Sequence, residues 1–318
     1  MRSSTGGLRK VALGVAVVAT AAAALAATAG ASPAKKAAAP AYDAKIAALL
    51  PDSVKQSKKI SFGALWETPP VISADPKNPS KPVGLAVDLT DAVAAVLGIT
   101  PVYKNTQWPA QIPGLQSGAV DVLWGQISDT KEREQSVADI VAWMQDPMAL
   151  LLAGGNPKGV KSLQTACGLK IAVPPGSTME ALVKGVSDKY CAGKSAISTV
   201  NYPGAKEAIV AIKAGTVDGW TDAGSSIADV VKKDPKNYSM VPVANSLVME
   251  FTSNISGIAV NKKNTGITLA LAAALKKIAA PGGAYATIMK KYGLTGATMK
   301  AKDIKVNTFT GIPAGKTA

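Results

Sequence analysis

Gln116-Ser117-Gly118-Ala119-Val120-Asp121 is the stretch that decides the fold, because it joins the end of a helix to the start of a strand through a glycine turn. A second stretch, Lys213-Ala214-Gly215-Thr216-Val217-Asp218, repeats the same plan. Around both, strand patterns such as residues 60–65 alternate with helix patterns such as residues 88–97. This alternation predicts an α/β fold with largely parallel sheets covered on both faces. The repeated plan predicts two similar lobes, with a ligand cleft between them at the carboxyl ends of the strands.

The composition restricts the chemistry that the chain can perform. Its 318 residues are 47% apolar and 18% charged, an ordinary balance for a globular protein of two domains. They include no histidine, which excludes Ser-His-Asp and Cys-His nucleophile pairs and His-ligated zinc. An enzyme would have to work with carboxylates, lysines and hydroxyls. We therefore predict a binding protein with no catalytic residues, no metal and no cofactor.

The formal charge of +14 raises the question of an anionic partner. The lysines, however, are spread over the chain in pairs such as residues 58–59 and 232–233, and aromatic residues make up only 5%. No arginine-rich run is present. The pattern indicates solvated surface charge and predicts no nucleic-acid partner.

The first 31 residues have the pattern of a signal peptide. Arg2, Arg9 and Lys10 precede an apolar stretch over residues 11–27, and small residues follow with the spacing of a cleavage site. The alternative is an uncleaved membrane anchor, although the alanine-rich stretch gains little transfer energy per residue. The segment contains no cysteine for lipid attachment. We predict an extracytoplasmic protein, periplasmic or secreted, in which residues 32–55 form a flexible leader.

Cys167 and Cys191 are the only two cysteines of the chain. An even count in an exported protein predicts one disulfide, and two free buried thiols are the alternative. In the chain-entropy model, a bridge that closes a loop of this size contributes roughly 3 kcal/mol.

Several motifs occur in the order and spacing of one known family. Together they resemble the bacterial family-3 extracellular solute-binding proteins, the polar-amino-acid receptors of ABC importers, over about residues 59–295. The motifs are Lys81 to Leu89, Trp108 to Leu115 followed by Ser117-Gly118 and Asp121, Ser128 to Arg133, Gly176 to Thr178, and Asp222.

The resemblance implies a type II periplasmic-binding-protein-like fold. Two mixed, mainly parallel sheets would be joined by two crossover strands, with the ligand cleft between them. Lobe 1 would comprise residues 56–148 plus 261–300, lobe 2 residues 149–260, and a C-terminal tail residues 301–318. The implied function is capture of an amino acid by lobe closure, and delivery to the membrane permease of an ABC importer by a monomeric protein.

The family's pattern also implies the principal ligand contacts. Arg133 would bind the ligand's α-carboxylate through a bidentate fork, although its acidic neighbours also fit a surface helix. Thr178 and Ser177 would bind the same carboxylate at a helix start, and Ser177 with Glu180 also forms a capping-box pattern. Asp222 would accept hydrogen bonds from the α-ammonium group, or else cap the following helix.

The remaining contacts implied by the resemblance are an aromatic wall and a strand end. Trp108 would form the wall, with core packing as its alternative. Gly125, Gln126 and Ser128 would offer backbone carbonyls and hydroxyls.

Two positions depart from the family's pattern. Thr68 stands where many relatives carry a stacking aromatic residue, and Leu65 where many carry an acid. Trp66 and Trp124 are expected to fill the vacated space. A smaller polar wall with tryptophans indicates a neutral or apolar ligand side chain, whereas Glu67 could meet a basic one.

Two other functions remain open at this point. One is a ligand sensor or envelope protein that works without a transporter, which the absence of a lipid-attachment cysteine leaves open. The other is a dehydratase-like enzyme on the same scaffold, with Glu67, Glu180 or Lys131 as its acid.

Overall fold

The computed structural model describes residues 40–312. The predicted signal peptide, residues 32–39 of the leader and residues 313–318 lie outside the described residues.

The helices are α1 (Ala44–Ala47), α2 (Asp52–Ser57), α3 (Leu85–Leu97), α4 (Trp108–Ser117), α5 (Lys131–Ser136), α6 (Thr178–Tyr190), α7 (Ala205–Lys213), α8 (Gly224–Lys233), α9 (Asn245–Phe251), α10 (Thr265–Ala279) and α11 (Ala284–Lys291). Short 3-10 helices cover Leu163–Thr165, Lys262–Asn264, Thr295–Ala297 and Ala301–Asp303. The strands are β1 (Lys59–Ala64), β2 (Glu67–Thr68), β3 (Ile72–Asp75), β4 (Asn78–Val83), β5 (Thr100–Asn105), β6 (Val122–Ser128), β7 (Ala138–Gln145), β8 (Met148–Ala153), β9 (Lys170–Val173), β10 (Ser198–Asn201), β11 (Gly219–Ala223), β12 (Tyr238–Pro242) and β13 (Ile255–Asn261).

Two five-stranded sheets form the centres of the two lobes, which confirms the predicted α/β architecture. The first sheet has the order β5-β1-β6-β13-β7, and the second has the order β10-β9-β11-β8-β12. In each sheet, two pairings are parallel and two are antiparallel. The sheets are therefore mixed in equal parts, and the expectation of mainly parallel sheets is wrong. Strands that carry the chain between the lobes lack the helical crossover that forces parallel pairing.

Exposed glycine turns connect helix to strand at the two repeated stretches. Gly118 follows α4 with φ of 81°, and Gly215 follows α7 with φ of 70°. These left-handed values are costly for residues with a side chain, which explains why each repeat carries a glycine there.

The chain passes between the lobes twice. It leaves the first sheet at the end of β7 and enters the second at β8. It returns between α9 and β13, and β13 then pairs with β6 and β7 in the first sheet. The predicted second lobe, residues 149–260, thus includes β13, which belongs to the first sheet. The reason is that β13 is an apolar strand buried between two neighbours of the first lobe.

Both ends of the described chain pack on the first lobe. Residues 44–57, expected to lie mostly in a flexible leader, form α1 and α2, with Leu50 and Val54 buried in the first lobe's core. In the predicted tail, Ile304 and Val306 are buried in the same core. These apolar side chains stabilise the termini because they remove apolar surface of α10 and β7 from water.

Cys167 and Cys191 form the predicted disulfide in the second lobe. The bond ties the loop before β9 to the end of α6. The two thiols are thus not free, and the alternative interpretation is wrong.

Among residues 40–312, no single helix is long and apolar enough to cross a bilayer. Within the same residues, one pair of consecutive helical segments, Lys262–Ala279 and Ala284–Lys291, is long and apolar enough when the two are taken together, but the pair is bent by 79°.

The first lobe's core gives a prediction about stability. Leu271 on α10 is fully buried, so Leu271→Ala is expected to lower the free energy of unfolding by about 2 to 5 kcal/mol through lost contacts and a cavity. The control Val210→Ala, at a side chain 66% exposed on α7, should change it by less than about 0.5 kcal/mol. Urea denaturation measures both values. Equal losses would show that α10 is not part of the cooperative core.

Candidate functional site

A cleft between the two sheets brings together the carboxyl ends of strands from both lobes, as the sequence predicts. The first lobe contributes residues at the ends of β1 and β6, and the second contributes residues at or after the ends of β9, β10 and β11. The first lobe lines the cleft with Ala64, Leu65, Thr68, Trp108, Gln111, Gly125, Gln126, Ile127, Ser128 and Arg133. The second lobe lines it with Pro174, Ser177, Thr178, Met179, Pro203, Gly204, Ala205 and Asp222.

Arg133 lies in the middle of α5 and turns its guanidinium group into the cleft. Thr130 begins the helix by accepting a hydrogen bond from the Arg133 backbone N–H at 3.3 Å. The Nη1 atom donates to the carbonyl oxygen of Ser128 at 3.0 Å, and the guanidinium carbon lies 5.7 Å from the centroid of the Trp108 ring. Within residues 40–312, no carboxylate lies within 4.0 Å of the guanidinium group.

Burial lowers the pKa of Arg133 to about 10, although the negative charges of Glu132 and Asp129 oppose the shift. The side chain therefore stays charged at neutral pH. A partly buried cation without a carboxylate partner is an unfavourable arrangement that a bound anion would relieve. The interpretation of Arg133 as a surface helix residue is wrong.

Asp222 lines the cleft from the second lobe, near the end of β11. Its Oδ1 atom accepts a hydrogen bond from the Ala223 N–H at 2.7 Å. Burial raises the pKa of this carboxyl to about 7, and the nearby charge of Asp146 adds to the shift. The alternative role as a helix cap is wrong, because Ala223 occupies the N-cap position of α8 and no side chain caps that helix from there.

Ser177 and Thr178 lie at the start of α6, at the edge of the cleft. Ser177 caps the helix by accepting from the Glu180 N–H at 3.2 Å, so the capping interpretation is confirmed. Thr178 Oγ1 lies 2.8 Å from Ser128 Oγ, and this contact joins the two lobes. The hydroxyl groups of Ser128, Ser177 and Thr178 therefore lie at the N-terminus of α6, where free backbone N–H groups favour an anion.

Gln126 lies in the cleft, but its amide group is already occupied. Its Nε2 atom donates to Asp146 Oδ2 and to Ser225 Oγ, both at 3.1 Å, and its Oε1 atom accepts from Ser226 at 3.1 Å. Asp146 also accepts from the Ser225 N–H at 3.0 Å and from its hydroxyl at 2.5 Å.

Asp146 was not among the residues singled out from the sequence. It lies where the chain leaves β7 for the second lobe, and burial raises its pKa. An acid in the middle of the mainly apolar run of residues 140–153 is the signal that could have revealed it.

The structure does not bring the two additional tryptophans to the cleft. Trp66 is buried in the first lobe's core and lines a separate groove, whereas Leu65 and Thr68 line the cleft. Trp124 packs edge-on against Trp143 in the same core, with ring centroids 6.1 Å apart. Trp124 shares the core-facing side of β6 with Val122, whereas only the carboxyl end of the strand, Gly125 to Ser128, lines the cleft. The expectation that Trp66 and Trp124 fill the space beside Thr68 is therefore wrong.

The lobes contact each other directly, so the structure shows a closed cleft. Besides the bonds of Gln126 to Ser225 and Ser226, polar contacts cross it between Ser128 and Thr178 at 2.8 Å, from Trp108 Nε1 to the Pro175 carbonyl at 2.8 Å, and between Lys206 and Glu67 at 2.7 Å. The Trp108 ring thus lines the cleft, and its Nε1 atom also joins the two lobes. Trp108 is therefore not only a core residue.

The fold and the cleft define a two-lobed α/β binding protein that closes on its ligand. The chain belongs to the bacterial extracellular solute-binding proteins, family 3, whose model matches residues 60–295. The family assignment from sequence motifs is confirmed.

Curated relatives cover most of this region. The chain is 27% identical over 251 residues to the putative ABC transporter arginine-binding protein 2 of Escherichia coli, a match that covers 78% of this chain and 97% of that protein. It is also 27% identical over 246 residues to the ABC transporter glutamine-binding protein GlnH of Bacillus subtilis, covering 76% and 83%. Among solved structures, an ancestral arginine-binding protein bound to arginine superposes with a TM-score of 0.65 at 28% identity, covering 74% of this chain and 98% of that one.

The burial of Asp222 gives a prediction about stability and pH. The carboxyl has a pKa of about 7 when folded and an ordinary value of 3.8, so the folded protein retains an extra proton between about pH 4 and 7. Stability therefore falls as the pH rises through this window. Asp222→Asn removes the penalty and is expected to raise the free energy of unfolding of the unliganded protein at pH 8, by at most about 4 kcal/mol.

Urea denaturation at pH 8 and at pH 3 measures this difference, and the two proteins should converge at pH 3. Asp303→Asn, at an exposed position, is the control. If Asp222→Asn is no more stable than the wild type at pH 8, the carboxyl carries no burial penalty.

Proposed function

We propose that the cleft binds an α-amino acid and that the protein delivers it to an ABC importer. One observation carries the proposal: Arg133 and Asp222 line the same cleft from opposite lobes, and neither forms an ion pair within residues 40–312. An α-amino acid has a carboxylate for the guanidinium group and an ammonium group for the carboxylate.

Such a ligand would hold the cleft closed. Its carboxylate would receive the forked N–H groups of Arg133 and the hydroxyls of Ser128, Ser177 and Thr178, and its ammonium group would donate to the free oxygen of Asp222. Because the ligand would contact both lobes at once, it favours the closed arrangement over the open one. Trp108, Gly125, Gln126 and Thr68 form the surrounding walls.

The similar proteins support both halves of the proposal. Their names describe arginine-binding and glutamine-binding proteins of ABC transporters, which is consistent with amino-acid capture and with a membrane permease as partner. The sequence pattern of residues 1–31 supports action outside the cytoplasm after export.

We also propose that the protein is not an enzyme. The three candidate acids do not line the cleft. Glu67 pairs with Lys206 at 2.7 Å, and Glu180 pairs with Lys184 at 2.8 Å. Lys131 lies on an outer groove. A sensor without a transporter would use the same cleft, and no contact in the structure favours it over delivery.

Arg133→Ala is expected to weaken amino-acid binding by well over tenfold, because it removes charged hydrogen bonds to the carboxylate. Arg133→Lys should bind with intermediate affinity, because lysine keeps the charge but lacks the fork. Isothermal titration calorimetry on protein that has been unfolded and refolded to remove carried-over ligand measures both. Circular dichroism controls for folding, and unchanged affinity in Arg133→Ala would contradict the proposed clamp.

A further inference from the structure

The part of the cleft outside the Arg133–Asp222 clamp is mainly apolar. It is formed by Leu65 and Ile127 of the first lobe together with the following second-lobe residues: Pro174, Met179, Pro203 and Ala205. Thr68 and Gln111 add polar groups but no charge, and Gln111 Nε2 already donates to the Thr106 carbonyl at 3.1 Å.

A cationic ligand side chain would find no free carboxylate there. Among the described residues that line the cleft, Asp222 is the only carboxylate, and the α-ammonium group would occupy it. Two further acids reach the edge of the cleft beside Gly204: Glu67, whose Oε1 atom lies 2.7 Å from Lys206 Nζ, and Glu207, whose side chain is exposed to solvent. A guanidinium or ammonium group buried without a partner carries a large desolvation cost.

The helices around the cleft also oppose a second cation. Three of them begin with a residue that lines it: α4 with Trp108, α6 with Thr178 and α7 with Ala205. A helix N-terminus carries a partial positive charge, which repels cations within about one turn. These N-termini thus add a positive contribution to the field of the side-chain compartment.

An anionic side chain would also lack a partner. Arg133 is the only cation that lines the cleft among the described residues, and the α-carboxylate would use it. Lys206 is outside the lining and already paired with Glu67.

We propose that this cleft selects α-amino acids with uncharged, mainly apolar side chains and discriminates against arginine and lysine. The proposal rests on the proposed amino-acid function. It separates this chain from the relatives that are named for arginine binding.

Calorimetry with L-methionine and L-lysine tests this selectivity, because the two side chains have similar length and differ by the terminal charge. L-Leucine, L-glutamine, L-glutamate and L-arginine complete the panel. The refolded protein is expected to bind methionine at least about a hundredfold more tightly than lysine or arginine, the order expected for an unpaired buried charge. Binding of lysine, arginine or glutamate as tight as that of methionine would overturn the selectivity while leaving the amino-acid function intact. Binding of none of the panel would instead overturn the proposed function.

Leu65→Glu provides a second test, because it places a carboxylate on the wall of the compartment. It should raise the affinity for lysine relative to methionine by about tenfold or more, whereas the uncharged control Leu65→Gln should not. An unchanged ratio in a folded Leu65→Glu protein would contradict the assignment of this wall to the ligand side chain. If the variant does not fold, the wild-type panel still decides.

A separate observation concerns the segment after residue 295, where the family match ends. Residues 305–307 run along β7: the Ala142 N–H donates to the Lys305 carbonyl at 2.9 Å, and the Asn307 N–H donates to the Ile140 carbonyl at 2.7 Å. The Asn307 side chain accepts from the Ile140 N–H at 2.8 Å and donates to Asp139 at 3.1 Å. The segment is thus attached by both main chain and side chain.

The same segment is bound to the helix that carries Arg133. Glu134, the next residue on α5, is buried, and its two carboxylate oxygens accept from the N–H groups of Phe309 at 2.9 Å and Thr310 at 2.7 Å. Asp129 lies beside this carboxylate, and burial together with Glu134 raises its pKa to about 8. A six-residue helix has little intrinsic stability, so an external attachment decides where its side chains lie.

We propose that Glu134 is a positioning residue, which acts through residues 305–310 to hold Arg133 at the cleft. Glu134→Gln replaces one acceptor oxygen by an NH2 group, which is a donor. One of the two main-chain N–H groups, of Phe309 or Thr310, then loses its hydrogen bond. The exposed neighbour variant Glu132→Gln is the matched control on the same helix.

The test combines hydrogen exchange with calorimetry. In Glu134→Gln, amides of residues 131–137 should exchange about tenfold faster or more, with little change in α6, and the affinities for L-methionine and L-glutamine should fall about tenfold. In an Arg133→Ala background, the same substitution should cause no further loss of affinity, because its effect passes through Arg133. An additive loss, or a loss of stability without loss of affinity, would show a merely structural role. If Glu134→Gln does not fold, Asn307→Ser, which weakens the same attachment, is measured in its place.

Discussion

Two opposite charges that face one cleft without pairing are the feature on which the rest of the structure depends. Arg133 and Asp222 lie on different lobes, and the protein supplies neither with a counter-ion within residues 40–312. The cost is visible in both groups, because burial lowers the pKa of the guanidinium and raises that of the carboxyl. In the proposed function, a ligand that brings both charges would stabilise such a cleft, and the unfavourable electrostatics of the free protein would contribute to the affinity.

Keeping the charges apart requires a rigid support on each side. In the second lobe, Asp222 lies on a central strand between β8 and β9, where neighbours on both sides restrict it. In the first lobe, Arg133 lies on a short helix that Thr130 and Glu134 attach at its start and middle. Asp222 is thus held by a sheet, whereas Arg133 is held by a short helix that hydrogen bonds attach to its surroundings.

The connection between the lobes carries a polar network of its own. Asp146 joins Gln126 of the first lobe to Ser225 of the second, and all of these groups are hydrogen-bonded. The network lies beside the point where the chain passes from β7 to β8. Its buried acid also repels Asp222, which links the electrostatics of the hinge to those of the cleft.

The two lobes are stabilised by different means. The first is built from two separate parts of the chain and gathers α1, α2 and the segment after residue 295 onto its core. The second is continuous and smaller, and its disulfide closes the loop from Cys167 to Cys191. Residues 40–57 and 301–312 carry only a few apolar side chains, such as Leu50, Val54, Ile304 and Val306, and these residues are ordered because the first lobe offers an apolar surface to pack on.

The amino-acid sequence by itself determined the local features: alternating strands and helices, two glycine turns, one cysteine pair and the motifs that lead to Arg133, Thr178 and Asp222. Each of these depends on neighbours along the chain or on a spacing that can be counted. Only the tertiary structure decided that Trp66 and Trp124 face the core, that Gln126 is hydrogen-bonded to Asp146 and Ser225, and that β13 returns to the first sheet. It also decided which groups donate to the buried carboxylates of Asp146 and Glu134. These outcomes depend on side-chain direction and on contacts between residues as distant as Glu134 and Thr310, which no local pattern encodes.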